Sequence, residues 1–162
     1  MGILLNSGNT EFEEAANAEI YVDKTLLIEY ANRVLRTPQK YICVSRPRRF
    51  GKSMAANMLT SYYSKGCDSR ELFSPYKISK SDSFEKHLNK YNVIHINMVE
   101  YLTEAKSIEN LIKYIEDDII GDITDSMPEL VMPRRISLTK VLTSAFNQFK
   151  IPFIFIIDEW DR

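Results

Sequence analysis

Two short stretches carry residues able to act on a phosphate. Gly51-Lys52-Ser53 sets a small residue, a cation and a hydroxyl in a row, and Asp158-Glu159 sets two carboxylates side by side. A triphosphate site uses these groups: backbone N–H donors of a tight loop and a helix N-terminus face the phosphates, a Lys neutralises charge, and a Ser hydroxyl ligates magnesium. Asp158 can hold that magnesium ion, directly or through water, beside the Ser53 hydroxyl. Glu159 can polarise a water for attack on the terminal phosphate, and Lys52 can stabilise charge on the β- and γ-phosphates. The candidate catalytic residues are therefore Lys52 and Glu159, and the candidate metal ligands Ser53 and Asp158.

Such groups work only if strands and helices hold them. Tyr41-Ile42-Cys43-Val44 is an apolar run rich in strand formers, and it predicts a strand over residues 40–45 that leads into the loop. A helix follows over residues 53–64, with Met54, Met58, Leu59, Tyr62 and Tyr63 forming its apolar stripe and Gly66 ending it. The methionines read as core filler. The loop departs from G-x-x-x-x-G-K-[ST], because Arg46 stands where the first Gly belongs. Asp158-Glu159 closes a run of five apolar residues, Phe153 to Ile157, which predicts a buried strand. Ligands of open α/β sheets bind at that carboxyl edge. A further strand is predicted over residues 91–98, where His95 reads as a packed histidine between apolar neighbours. Helices are predicted over residues 26–36, 107–124 and 137–149. On the 107–124 helix, Ile108, Leu111, Ile112, Ile115, Ile119 and Ile123 share one face, while Glu116, Asp117, Asp118 and Asp122 read as the solvated one. Asp23 is placed to cap the helix that begins near Leu26.

The bulk numbers restrict the remaining classes. A chain of 162 residues suits one domain with a sizeable core. A net charge of −1 excludes a global pull toward nucleic acid or membrane, so direct nucleic-acid binding has weak support and would rest on a local patch such as Arg46, Arg48, Arg49 and Lys52. Two cysteines outside any C-x-x-C pattern, and two isolated histidines, give no zinc pattern. No apolar run approaches the roughly 18 residues of a membrane span, and the N-terminus lacks a basic leader, so a cytoplasmic protein is expected.

Three segments together resemble a known family. Tyr21-Val22-Asp23-Lys24-Thr25, Arg46-Pro47-Arg48-Arg49-Phe50-Gly51-Lys52-Ser53 and Ile156-Ile157-Asp158-Glu159-Trp160-Asp161 look like the YVDKT, RPRRFGKS and IDEYD motifs of the bacterial AAA-ATPase-like family. The resemblance spans essentially the whole chain, and it makes Arg46 usual rather than aberrant. It implies an α/β fold: a three-layer P-loop NTPase-like core with a mostly parallel sheet, occupying residues 38–162 after a helical lead-in over residues 1–37. It implies ATP and Mg2+ as ligands, with Arg46, Arg48, Arg49, Phe50, Gly51, Lys52, Ser53 and Met54 forming the nucleotide-binding loop and the Walker A motif, and Asp158-Glu159 the Walker B pair. Trp160 replaces the more usual Tyr.

Family members usually continue beyond the acidic motif, whereas this sequence stops at Arg162, so a domain incomplete at its C-terminal end is expected. In ATPases of this broad class the fourth strand lies between the first, which carries the phosphate loop, and the third, which carries the acidic pair. Without it, neighbouring backbone groups lose partners at about 1–3 kcal/mol each. Direct pairing of the first and third strands, a partner chain or second copy over the exposed edge, or insertion of the N-terminal segment would each relieve this. Each would displace Asp158 from Lys52 by roughly one strand spacing, about 4.8 Å, against a catalytic tolerance of about 1 Å. The expectation is ATP binding with weak or lost hydrolysis. The alternative is a stand-alone protein-binding remnant of the fold, such as a mobile-element inhibitor of a host nucleic-acid defence nuclease.

Overall fold

The computed structural model describes residues 2–45, 47, 49–105 and 107–160. Its elements run α1 (Thr10–Ala16), α2 (Leu26–Val34), α3 (Lys52–Tyr63), α4 (Arg70–Phe73), a 3-10 turn (Lys77–Lys80), α5 (Phe84–His87), β1 (Asn92–Asn97), α6 (Met98–Glu104), α7 (Ile108–Ser126), α8 (Leu138–Phe149) and β2 (Phe153–Asp158). The chain is a mixed helix and strand protein of the α/β kind. It divides into two compact units, one of residues 1–7 with 91–162 and one of residues 8–90. The boundary expected between residues 37 and 38 falls inside the second of these.

The first unit is built on β1. Its alternating sequence Asn92-Val93-Ile94-His95-Ile96-Asn97 pairs in parallel with β2, with Asn92 opposite Phe153 and Asn97 opposite Asp158. The other edge of β1 is taken by the N-terminal strap, which bridges Leu5 to Ile94 in the antiparallel sense. Val93 accepts from the Asn6 N–H at 2.8 Å, and Leu4 accepts from the His95 N–H at 3.0 Å. Asn6 occupies left-handed backbone (φ 51), and its Oδ1 accepts from the Val93 N–H at 2.9 Å. Asn tolerates that region because its side chain can bond locally. Leu5, Ile94, Ile96, Tyr101, Ile119, Ile123, Leu130, Val141 and Ala145 close the core of this unit.

A carboxylate fastens the strap. Asp122 of α7 accepts the N–H groups of Ile3 (3.0 Å), Leu4 (2.8 Å) and Leu5 (2.6 Å). A Cβ on Gly2 would collide with the same carboxylate, so this residue has to be small. The acidic face of α7 is therefore not simply solvated. Asp122 binds the strap, and Asp118 accepts the Tyr101 hydroxyl, whose pKa is raised by burial and by that bond. The apolar face is covered unevenly. Ile119 and Ile123 are buried, while Ile108 is 72% exposed and Ile112 54%.

In the second unit aromatic rings form much of the core. Phe12 stacks on Phe73 with centroids 5.0 Å apart, and Tyr62 meets Phe73 edge-on at 5.5 Å. Helix α3 packs against α1 in this unit. The buried Asn32 joins Tyr62, Tyr63 and Ser83 by bonds of 2.7–3.1 Å.

Two strand expectations change. Residues 41–45 form no strand, and all five are exposed. A strand is a ladder before it is a composition, and among the described residues the only sheet is β1 with β2. The strand at 153–158 forms but is not buried: Phe155 is 42% exposed and Ile157 49%. Of the three ways of satisfying the sheet, insertion of the N-terminal segment between first and third strands is not what occurs, since that segment adds to β1 on the edge away from β2.

Removing the Asp122 acceptors should free the strap. Asp122→Ala is expected to lower unfolding stability by about 1.5–3 kcal/mol, the range for a hydrogen bond to a charged group. Hydrogen exchange at the amides of residues 3–5 should accelerate in parallel, and unchanged protection there would show that the carboxylate does not hold the strap.

Candidate functional site

Helix α3 begins where the sequence places the phosphate loop. Gly51 is its N-cap, with φ +72 and ψ 39, and the Ala55 N–H reaches the Gly51 carbonyl at 3.1 Å to close the first turn. Left-handed backbone costs an L-residue about 1–2 kcal/mol and Gly almost nothing, so a Gly is demanded here. Lys52 and Met54 are half-buried on the first turn, and Ser53 is exposed. Arg49 and Phe50 are exposed in the approach to the helix, with Arg49 itself at φ 68. Arg46 and Arg48 lie outside the described residues. The far end of α3 is tied down by Asn89, whose amide donates to the carbonyls of Ser61 (3.1 Å) and Ser64 (3.0 Å).

The segment Tyr21-Val22-Asp23-Lys24-Thr25 belongs to this loop. Asp23 serves the neighbour of Leu26 at the entry to α2. Its Oδ1 accepts the Thr25 N–H (2.9 Å) and hydroxyl (2.6 Å), and its Oδ2 accepts the Lys77 N–H (3.0 Å). Thr25 is wholly buried, and its Oγ1 takes the Ile78 N–H at 3.2 Å. The carboxylate thus closes a turn and binds the 3-10 segment at once. Burial alone would raise its pKa, but the bonds from Thr25 and Lys77 outweigh that and lower it. Tyr21 beside it is pushed up to about 12, first by burial and then by the neighbouring Tyr76 and Asp23.

With its flanking residues held, Lys24 reaches the loop. Its Nζ donates to the Phe50 carbonyl at 2.7 Å, and it would lie 2.7 Å from a Cβ on Gly51. Sequence reasoning assigned Lys24 no chemistry. The one available signal was its place inside the YVDKT motif, because the contact spans 26 positions and no local pattern encodes it.

The acidic pair belongs to the other unit. Asp158 ends β2, half-buried, and its Oδ1 accepts the Glu159 N–H at 2.9 Å. Glu159 is half-buried with φ 56. Among the described residues six other than Gly have positive φ. Asn6 and Asn89 are amide-bonded, Arg36 follows the end of α2 and Lys150 caps α8. The two that remain, Arg49 and Glu159, fall in the two motifs to which the sequence reading assigns chemistry. Backbone strain of this kind gathers at functional sites.

The donor chemistry suits magnesium. Ser53, in one unit, offers a hydroxyl oxygen, and Asp158, in the other, a carboxylate oxygen; each is a hard donor of the kind magnesium takes. Among the described residues no group of three His, Cys, Asp or Glu side chains could hold a metal ion unaided. Among the described residues no helix is long and apolar enough to cross a membrane.

A family model described as Predicted AAA-ATPase matches residues 7–162, nearly the full chain. No curated protein and no solved structure matches.

The Asp23 turn makes a signed pH prediction. A depressed folded-state pKa stabilises above the unfolded value of about 3.9, and that stability is lost as pH falls through the folded pKa. Asp23→Asn should cost about 1–2 kcal/mol at neutral pH and flatten the loss of stability below about pH 4. Urea unfolding at pH 7 and pH 3 reads both, and a variant as stable as the parent at pH 7 would remove Asp23 from the anchor.

Proposed function

The chain belongs to the Predicted AAA-ATPase family, and from that premise we propose that it binds ATP with magnesium through residues 49–54. The observation that carries this reading is Gly51, left-handed at the N-cap of a twelve-residue helix that opens with Lys52 and Ser53. That geometry aims first-turn N–H groups and the positive end of the helix dipole where a phosphate would sit. In this reading Lys52 neutralises phosphate charge, and Arg49, Phe50 and Met54 border the loop. Arg46 and Arg48 add positive charge to it. Ser53 and Asp158, which belong to different units, are each candidate ligands of magnesium, which when bound would offset charge on the β- and γ-phosphates. Glu159 orients the attacking water.

Hydrolysis by the isolated chain is weak or absent in this proposal. The support is residues 41–45, which are exposed and in no sheet. A phosphate loop is normally fixed by the strand that feeds it, and a loop without that brace falls short of the sub-ångström positioning that catalysis requires.

A second reading, protein binding, is favoured by β2. Among the described residues it is paired on one side only, and Phe155 and Ile157 are exposed along it. Open strand edges recruit strands from other chains, so a partner or a second copy would add there. The protein-binding reading uses the open edge of β2, whereas the phosphate loop of the ATP reading lies in the other unit.

Mg-ATP at about 100 times its dissociation constant should stabilise the protein by about 2.7 kcal/mol, a rise of about 5–10 °C in melting temperature. Lys52→Ala should abolish the rise, and no rise in the parent would sink the ATP reading. Phosphate release should stay at the level of Glu159→Gln, and turnover above that level would overturn the proposed lack of hydrolysis. For the edge, light scattering should show concentration-dependent association that Ile157→Lys removes. A parent that stays monomeric would discard self-association and leave a foreign strand as the occupant to test.

A further inference from the structure

The Lys24 contact bears on how the loop keeps its shape. The Phe50 carbonyl and the Gly51 N–H belong to a single planar peptide unit, and in a trans peptide they point in opposite directions. An ammonium held at 2.7 Å from that carbonyl therefore fixes the direction of the Gly51 N–H as well. The peptide needs fixing. Its C-terminal neighbour is Gly51 at φ +72, and a Gly populates positive and negative φ about equally, so rotation of the 50–51 peptide meets little steric resistance. The space that Lys24 occupies exists because Gly51 has no side chain, since a Cβ there would lie 2.7 Å from Nζ.

The lysine is itself held on both sides. Asp23 gathers the N–H groups of Thr25 and Lys77, and Thr25 is buried with its hydroxyl on the Ile78 N–H. Only the long side chain of Lys24 remains to be ordered when it bonds the loop. Its ammonium has three donors, of which the Phe50 bond uses one.

We propose that Lys24 is a positioning residue of the phosphate loop, which pins the 50–51 peptide so that the Gly51 N–H stays aligned for a phosphate oxygen. This rests on the reading of residues 49–54 as a phosphate loop. Lys24 acts through the Phe50 carbonyl, in contrast to Lys52, whose proposed role is at the phosphates. It also gives the YVDKT segment a purpose: Asp23 and Thr25 hold the turn, and Lys24 delivers its charge from that turn to the loop.

The test is calorimetric titration of Mg-ATP, Mg-ADP and adenosine into the full chain, its Lys24→Ala and Lys24→Arg variants, and Lys52→Ala. Lys24→Ala should weaken Mg-ATP and Mg-ADP about tenfold, equivalent to about 1.4 kcal/mol, and leave adenosine unchanged. The melting temperature without nucleotide should remain within about 2 °C of the parent, because Asp23 and Thr25 still hold the turn. Lys24→Arg should recover affinity to within about threefold, since a guanidinium can donate to the same carbonyl. Repeating the titrations in about 0.5 M salt separates a hydrogen bond from a diffuse field, because salt screens the field. A tenfold loss that persists in salt supports pinning, and one that vanishes overturns it. Unchanged phosphate affinity in Lys24→Ala, or an equal loss for adenosine, also overturns it while leaving the phosphate loop standing. If the parent binds neither Mg-ATP nor Mg-ADP, the phosphate-loop reading falls and the inference falls with it.

Discussion

A backbone N–H or C=O that leaves water must find another partner, and each unit of this protein is arranged around that demand. Strand β1 is the clearest case. It is buried along most of its length and would present two unpaired edges if it stood alone. One edge is met by β2 and the other by the strap of residues 2–6. The strap then has N–H groups of its own facing away from the sheet, and Asp122 collects three of them. Asp23 plays the corresponding part in the other unit, gathering the N–H groups of two segments that are 52 positions apart. A carboxylate suits both places because it only accepts and has about four lone-pair sites to offer.

The same demand explains the fate of residues 41–45. Their composition is that of a strand, and their carbonyls and N–H groups are as needy as those of β1. They differ in exposure. All five face solvent, where water can satisfy them without a ladder. Strand composition describes a surface that fits into a sheet and does not supply the neighbouring strand. The exposed Tyr41, Ile42 and Val44 are the apolar residues that such pairing would cover.

Elements whose signal is local were legible in the sequence. Helices α3, α7 and α8 and strands β1 and β2 lie within a few residues of where periodicity put them, and Ser107 caps α7 through the Asn110 N–H. Gly51, Lys52 and Ser53 were legible for the same reason, since a helix start after a small residue is a local pattern. What escaped depends on distant partners. Helix α6 was missed because it follows β1 without a break, with Asn97 serving both as strand end and as cap of the Val99 N–H. Asp122 looked like one more surface carboxylate of an acidic helix face, and only the docked strap distinguishes it. Lys24 looked like an ordinary basic residue for want of any sign that the chain would bring Phe50 to it.

Strain provides the last link between fold and site. Arg49 and Glu159 adopt left-handed backbone with no amide side chain or helix end to excuse it, at about 1–2 kcal/mol each. A fold accepts such a cost where the surrounding bonds over-determine the conformation, and the surroundings do so here. Arg49 precedes the peptide that Lys24 holds at Phe50, and Glu159 follows a carboxylate that bonds its own N–H. Asp158 spends part of one oxygen on that bond, and a carboxylate's remaining acceptor sites are compatible with a cation. The bond also turns the chain sharply at the end of β2, so that Glu159 leaves the sheet instead of extending it. In the reading proposed here, the two carboxylates thereby take up separate tasks, one at a metal and one at a water, though they are adjacent in sequence.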